Sequence, residues 1–231
     1  MARTIDHPLR RFVLFVLSMA IRSFGMVLTI RAALGVSPLT TIPVAVELIA
    51  GISLGLTSTI KNIVQIGIQK GLYRDAMSWG EVLLQLIISF LFGFILDGVD
   101  FATKWIVADG IVAQMIVMLL GCVVMSFGVY IEVVASFTML PADGMNRAIQ
   151  YVTEWDYGYI KLGTDALVVL VAVIITILGL GVDSLTAVIG IGTLVAMVEV
   201  GPNVHLFMKY LKPLTHFLMP CTIDPRFKDD M

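Results

Sequence analysis

The sequence predicts an all-α integral membrane protein with six transmembrane helices and two short Pro-led re-entrant or half-helix segments, built as two inverted repeats of three spans each. The first observation behind this prediction is composition. Of the 231 residues, 58% are hydrophobic and only 14% are charged, and the mean hydropathy is +0.97. Soluble domains carry about 25% charged residues. We therefore expect the lipid bilayer to be the solvent of this chain.

The second observation is the length of the apolar segments, six of which can cross the roughly 30 Å hydrocarbon core of a bilayer. Arg3, Arg10 and Arg11 precede the first segment as in a signal peptide. Its apolar run is too long for a cleaved signal, so we expect a retained helix. The six segments lie near residues 11–33, 54–72, 79–97, 111–133, 160–180 and 184–201.

Two further apolar segments, 38–51 and 141–153, are shorter than the about 20 residues that a spanning helix needs. The first opens with Ser37, a good N-cap, and Pro38, a good first helical residue. Free amide groups at such a start favour an anion or a carbonyl-bearing group. In the second segment, Asp143 places a carboxylate in the same first turn. The alternative is that both prolines simply begin short helices packed against the bundle.

The third observation is an internal repeat. The tripeptide Ser-Phe-Gly at 23–25 recurs at 126–128, which is 103 residues later. The same offset relates Pro38 to Pro141, Gly55 to Gly158 and Asn62 to Asp165. We expect a single membrane domain over residues 1–231, with repeats at about 11–98 and 111–201. Residues 202–231 are expected to form an amphipathic, cytoplasmic tail, bent at Pro213.

The positive-inside rule decides how many times each repeat crosses the membrane. If each short segment dips in and returns, each repeat has three spans and the repeats are inverted. The outside then keeps only Arg31 and Lys104, and both termini are cytoplasmic. Four spans per repeat would place Lys70 and Arg74 outside and explain the charges less well. The predicted inside group is Arg3, Arg10, Arg11, Lys70, Arg74, Arg147, Lys161, Lys209, Lys212, Arg226 and Lys228.

Polar residues within the apolar segments are the candidate functional groups, because unpaired charges at membrane depth are costly. They either form internal ion pairs, such as Arg22–Glu47 or Lys61–Asp165, or form a substrate or proton pathway. The candidate substrate-binding residues are Arg22, Ser37, Pro38, Thr40, Lys61, Asn62, Gln65, Pro141, Asp143, Gly144 and Asn146. The candidates for ion coupling or ion pairing are Glu47, Glu132, Lys161 and Asp165.

Several stretches resemble the YczE/YyaS/YitT-like family of bacterial multi-pass membrane proteins. The similarity covers about residues 10–200 and implies an integral membrane protein of a bacterial cell (inner) membrane with unknown activity. Two departures stand out: Asp143 occupies a turn that commonly carries Glu, and the loop "GVDSLTA" lacks the family's Arg–Glu pair. The similar stretches are "LGVSPLTTIP", "LGLTSTIKNIVQIGIQK", "EVLLQLIISFLFGFILD", "MLPADGMNRAIQ" and "YGYIKLGTDALVV".

These features favour a small secondary transporter or exporter of a small, anionic solute, bound at the repeat interface. The alternative is a membrane accessory or substrate-capture subunit of a larger complex. We expect no enzyme, metal or cofactor, because the chain has no HExxH, Walker or GxSxG motif and its His and Cys residues form no ligand pattern. A net charge of −2 gives no reason for a nucleic-acid partner. The small size of the chain leaves a homodimer open.

Overall fold

A computed structural model describes residues 8–211 and 214 of the chain. This part is helical, with no strand among its residues. The helices are α1 (Pro8–Arg31), α2 (Pro38–Ala50), α3 (Leu54–Tyr73), α4 (Trp79–Ala102), α5 (Ile111–Ala135), α6 (Pro141–Thr153), α7 (Tyr157–Leu180), α8 (Leu185–Val188) and α9 (Ile191–Tyr210), with 3₁₀ turns at Arg74–Ala76 and Val182–Ser184.

Five helical segments in the described part are long and apolar enough to cross a bilayer, which confirms a multi-pass helical membrane protein. They are α1, α4, α5, α7 and the segment Leu185–Tyr210. The sixth predicted span is α3, which has 20 residues but is more polar. Its exposed residues include Ile60, Ile63, Val64 and Ile68, whereas its buried residues include Thr57, Asn62, Gln65 and Gln69.

Both short segments form helices that begin at the predicted proline, and both have 13 residues. Each ends at a C-cap residue in the left-handed conformation, Gly51 in α2 and Glu154 in α6. Ser37 occupies the predicted N-cap position. Its side chain makes no capping bond to the backbone, however, and lies 3.0 Å from the Thr40 hydroxyl instead.

The starts of the helices follow the repeat found in the sequence. The first residues of α1 and α5, of α2 and α6, and of α3 and α7 are each 103 positions apart. The left-handed residues Ala33 and Ser136 are separated by the same distance in sequence. Equal spacing of helix starts and of unusual backbone angles indicates that both halves follow one local pattern.

Helices α1 and α5 pack antiparallel at the centre of the molecule. A Cβ atom on Gly25 would meet the backbone of Met125, and one on Gly128 would meet the backbone of Arg22. The repeat relates these two contacts to each other, because an offset of 103 residues maps Gly25 onto Gly128 and Arg22 onto Met125. The small residues therefore let the two helices approach closely at matched positions, as in other membrane helix pairs.

The last predicted span, 184–201, is not a single helix. It is interrupted at Ile189 and Gly190, and α9 then continues past residue 201 to Tyr210. The interruption packs against the loop before α2: Gly192 donates its amide to the Leu34 carbonyl (2.8 Å), and Val36 donates to Val188 (3.1 Å). These bonds satisfy backbone groups in the loop before α2 and at the ends of α8 and α9. The predicted bend at Pro213 and the part of the tail beyond residue 211, apart from Leu214, lie outside the described residues.

Candidate functional site

A small cavity lies where the first turns of α2 and α6 meet the middle of α3 and the first half of α7. Its volume is about 10 Å³, which is roughly the space that one water molecule needs. The described structure therefore leaves no room for a larger solute at this site. The lining residues are Pro38, Leu39, Lys61, Gln65, Ala142, Met145, Asn146, Lys161, Thr164, Asp165 and Val168.

Six residues that the sequence singled out line this cavity: Pro38, Lys61, Gln65, Asn146, Lys161 and Asp165. Their role in binding a solute stays a prediction. Sequence reasoning did not single out Thr164, although it lies one helical turn after Lys161. It also did not single out the apolar lining residues, which carry no chemical signal of their own.

Lys61 connects α3 to the start of α2. Its Nζ donates a hydrogen bond to the Leu39 carbonyl at 2.7 Å. The sequence had suggested a Lys61–Asp165 ion pair, but among the described residues Asp165 pairs with Lys161, with both carboxylate oxygens 2.6 Å from Lys161 Nζ. The reason is local, since Lys161 and Asp165 are four residues apart on one helix face.

Thr164 connects α7 to α6. Its hydroxyl donates to Asn146 Oδ1 at 2.8 Å and to the Lys161 carbonyl at 3.0 Å. The amide of Asn146 is thereby oriented beside the cavity, and Asn146 is buried. The first two turns of each Pro-led helix are thus hydrogen-bonded to a helix beside the cavity, α2 to α3 and α6 to α7.

Arg22 forms a second polar cluster, reaching from α1 to α5 and α6. Its Nη1 lies 2.6 Å from Glu132 Oε2 and 3.1 Å from Asp143 Oδ2. The alternative of an internal Arg22–Glu47 pair is therefore not what the described contacts show. Glu47 is in the last turn of α2, more than two turns from the helix start, and is partly exposed. Glu132 also accepts the Leu140 amide at 3.0 Å, so it caps the start of α6.

The side-chain amides of α3 have different roles: Gln69 joins helices together, whereas Gln65 lines the cavity. Gln69 donates to the Pro141 carbonyl (3.0 Å) and exchanges two hydrogen bonds with Gln85 of α4. Gly144 leaves room for the Gln69 side chain, because a Cβ atom at position 144 would meet it. Gln65 differs: its Oε1 is buried and has no hydrogen-bond partner in the described structure. Asn62 is buried but does not line the cavity.

The two clusters carry balanced charge. Arg22, Lys61 and Lys161 supply three cations, and Glu132, Asp143 and Asp165 supply three carboxylates. The charges of Arg22, Lys161, Asp143 and Asp165 all act on Lys61. Lys61 alone among the three cations has a carbonyl rather than a carboxylate as its hydrogen-bond acceptor. Of these three cations, Lys61 is therefore the one best able to bind an added anion, because no carboxylate accepts its hydrogen bond.

Comparison with known proteins places this architecture among uncharacterised relatives. The chain is 24% identical over 209 residues to the uncharacterized protein YyaS of Bacillus subtilis (strain 168), covering 90% of this chain and 96% of that protein. No solved structure matches. The family of unknown function DUF6198 matches residues 9–209. This match and the YyaS similarity confirm the predicted resemblance, and this chain, a multi-pass helical membrane protein, belongs to the DUF6198 family.

Proposed function

We propose that this protein is a small secondary transporter or exporter built from two inverted repeats of three spans each. In this arrangement α3 is the sixth span. Its 20 residues rise about 30 Å as an α-helix, which is the thickness of the hydrocarbon core. Its polar residues lower its overall hydropathy, but most of them face the protein. The residues that face outward are apolar, as a membrane span requires.

The packing of α1 against α5 supports the inverted relation. Gly25 contacts Met125, and Gly128 contacts Arg22. The repeat maps the first contact onto the second. Because the two helices run antiparallel, the axis that exchanges them lies across the helices and therefore in the membrane plane. That is the symmetry of many secondary transporters, whose sites lie near the midplane at the repeat interface.

The single observation that carries the proposal is the meeting of two Pro-led helix starts at one cavity. Half-helix N-termini at the middle of a membrane protein bring positive dipole ends to a solute. Pro38 and Leu39 come from the first repeat, and Ala142 from the matching turn of the second. A site shared by both repeats in this way is what alternating access requires.

The chemistry of the cavity supports a small anionic solute. Lys61 offers an ammonium group whose hydrogen-bond acceptor is a neutral carbonyl. The Lys161–Asp165 pair lines the same cavity, so an anion can compete with Asp165 for the Lys161 ammonium. Gln65 Oε1, which has no partner in the described structure, would accept a hydrogen bond from a hydroxyl or amine of the same solute. Arg22, with Glu132 and Asp143, holds the start of α6 rather than contacting the solute.

The test is solute flux into liposomes that contain only the purified protein. The probes are radiolabelled small carboxylates and inorganic phosphate, each with and without an imposed proton gradient. We expect uptake of at least one probe that Lys61→Gln abolishes, because the solute then loses the ammonium group that no carboxylate occupies. Lys104→Gln, at an exposed position between α4 and α5, is the control and should leave uptake unchanged. An equal loss in both variants, or uptake by Lys61→Gln at the rate of the unchanged protein, would contradict the proposed site.

The second candidate function is an accessory or substrate-capture subunit of a larger complex, and the small volume of the cavity favours the accessory role. A space of about 10 Å³ holds no organic solute without rearrangement. No flux of any probe, together with stable co-purification of an ATPase or a biosynthetic enzyme, would favour this function. Orientation with both termini cytoplasmic, location in a bacterial inner membrane, and a homodimer remain predictions under either function.

A further inference from the structure

Two glutamines of α3 lie one helical turn apart on the same face and differ in their hydrogen bonds. Both ends of the Gln69 amide are bonded, since it exchanges two hydrogen bonds with Gln85 and also donates to the Pro141 carbonyl. Gln65 lines the cavity and is only 6% exposed. Its Oε1 is buried without a hydrogen-bond donor among the described residues. The cavity therefore contains a polar atom whose bonding capacity the protein does not use.

The polar groups that α6 and α7 contribute to the cavity are bonded to one another. Lys161 Nζ lies 2.6 Å from both carboxylate oxygens of Asp165. The Thr164 hydroxyl donates to Asn146 Oδ1 at 2.8 Å. A buried polar atom without a partner, such as Gln65 Oε1, costs free energy that a bound donor would recover. The acceptor of Gln65 therefore favours a ligand that carries a hydrogen-bond donor.

Lys61 fixes where the ligand's negative charge lies relative to this donor. It precedes Gln65 by one turn on the same face of α3, and both side chains line the same cavity. Its ammonium group bonds the neutral Leu39 carbonyl at 2.7 Å. The space that the two side chains border is about 10 Å³. Two groups of one ligand can therefore reach both residues only if they are close together, as on neighbouring carbon atoms.

The charges around the cavity favour a hydroxyl over an ammonium group as the donor. An ammonium group at Gln65 would lie beside the cations Lys61 and Lys161, which line the same cavity, and like charges repel. The carboxylate of Asp165 is already bonded to Lys161. A neutral hydroxyl donates to Gln65 without adding charge. The other lining side chains suit a short aliphatic remainder, because they are apolar: Pro38, Leu39, Ala142, Met145 and Val168.

We infer that the cavity selects a small 2-hydroxy carboxylate, whose carboxylate binds Lys61 and whose 2-hydroxyl donates to Gln65 Oε1. Gln65 is then the residue that determines specificity, because a carboxylate without the hydroxyl leaves its oxygen unpaired. The cavity enlarges to admit this ligand as α2 or α6 moves. The inference rests on the proposed function, since it names the solute of the same site, but binding can be measured without transport.

Titration calorimetry on the full chain in lipid nanodiscs tests the inference. The probes are both enantiomers of lactate, propionate and isobutyrate, which carry a hydroxyl, a hydrogen and a methyl group at carbon 2. We expect one lactate enantiomer to bind at least about fivefold more tightly than propionate or isobutyrate. Gln65→Met removes the acceptor and should abolish this preference. Gln114→Met, half-buried in the first turn of α5 and outside the cavity lining, is the matched control and should keep it.

Equal binding of lactate and propionate to the unchanged protein, or no binding of any probe, would overturn the inference, because a retained water molecule then satisfies Gln65. An undiminished preference in folded Gln65→Met would overturn it as well. If that variant fails to fold, 2-methoxypropionate decides on the unchanged protein: it lacks the donor and should bind no better than propionate, and affinity equal to that of lactate would overturn the inference.

The binding assay and the flux assay separate this inference from the proposed function. Flux of small carboxylates without a preference for lactate would contradict the inference and leave the transport function intact. Lactate-selective binding that depends on Gln65, without flux in liposomes, would contradict the transport function alone.

Discussion

Arg22 and Glu132 form an ion pair across the contact between α1 and α5, with 2.6 Å between Nη1 and Oε2 and side-chain exposures of only 3% and 6%. The same guanidinium reaches Asp143 at the start of α6. One cation therefore joins three helices, and two acids depend on it. A buried pair of this kind contributes little net stability, but removal of one partner leaves an uncompensated charge.

We predict that Arg22→Gln lowers the free energy of unfolding by about 3–5 kcal/mol, because Glu132 and Asp143 lose their common cation. Thermal unfolding in detergent measures the effect. The matched control is Arg31→Gln, which breaks the Arg31–Asp100 pair, whose side chains are 21% and 17% exposed. That change should cost about 1 kcal/mol or less, as for other pairs that water reaches. Equal destabilisation by both variants would contradict the assigned role of Arg22.

Glycine substitutions test the close approach of α1 and α5. We predict that Gly25→Ala and Gly128→Ala each destabilise the protein by about 1–3 kcal/mol, because the new methyl group meets backbone atoms of the facing helix. Gly67 on α3 has open space where a methyl group would lie, with no packed neighbour within 4 Å, so Gly67→Ala should be neutral or slightly stabilising. Melting temperatures of the three variants provide the comparison. A substantial loss in Gly67→Ala, or none at Gly25, would refute the packing argument.

The sequence predicts the local pattern of this chain better than its tertiary partners. Pro38 and Pro141 begin the two short helices as expected, because the fixed φ angle of proline and its missing amide suit a first helical turn. Helix spacing likewise brings Lys161 to Asp165. The partners of Arg22 are Glu132 and Asp143 rather than Glu47, the acid considered for an internal pair. They depend on which helices pack together, and residue spacing within one helix carries no such information.

The interruption at Gly190 shows the same limit. Residues 184–201 are predominantly apolar, so hydropathy alone indicates a single span. The backbone bonds from Val36 to Val188 and from Gly192 to Leu34 replace helical bonds there, and each joins residues that are far apart in the chain. Ser37 occupies the predicted N-cap position of α2, but its hydroxyl makes no bond to a backbone amide of the first turn. The hydroxyl of Thr40 takes that place as its hydrogen-bond partner.

Reporter fusions test the proposed number of spans. With α3 crossing the membrane, a reporter inserted after Asp75 should be cytoplasmic and one inserted after Val107 should be external. Both positions lie outside the long helices and are exposed. An alkaline phosphatase fusion should thus be active only at the second position, and a fluorescent protein that matures in the cytoplasm only at the first. Phosphatase activity after Asp75 would exclude the arrangement of three spans per repeat.

Cysteine accessibility tests whether the cavity opens to both sides of the membrane. Val168 lines the cavity without making a side-chain hydrogen bond, whereas its neighbour Leu167 is 59% exposed on the outer face of α7. After replacement of Cys122 and Cys221 by alanine, we predict that Val168→Cys reacts with a charged methanethiosulfonate reagent applied to either side. Leu167→Cys, which would face lipid, should not react.

The small volume of the cavity is the physical reason for this expectation. A reagent larger than water cannot enter a space of about 10 Å³, so any reaction at Val168→Cys reports a state in which α2 or α6 has moved away. Alternating access requires such a state on each side in turn. Reaction from one side only would favour a capture subunit over a transporter. No reaction from either side would indicate that the polar groups around Lys61 serve only to hold the helices together.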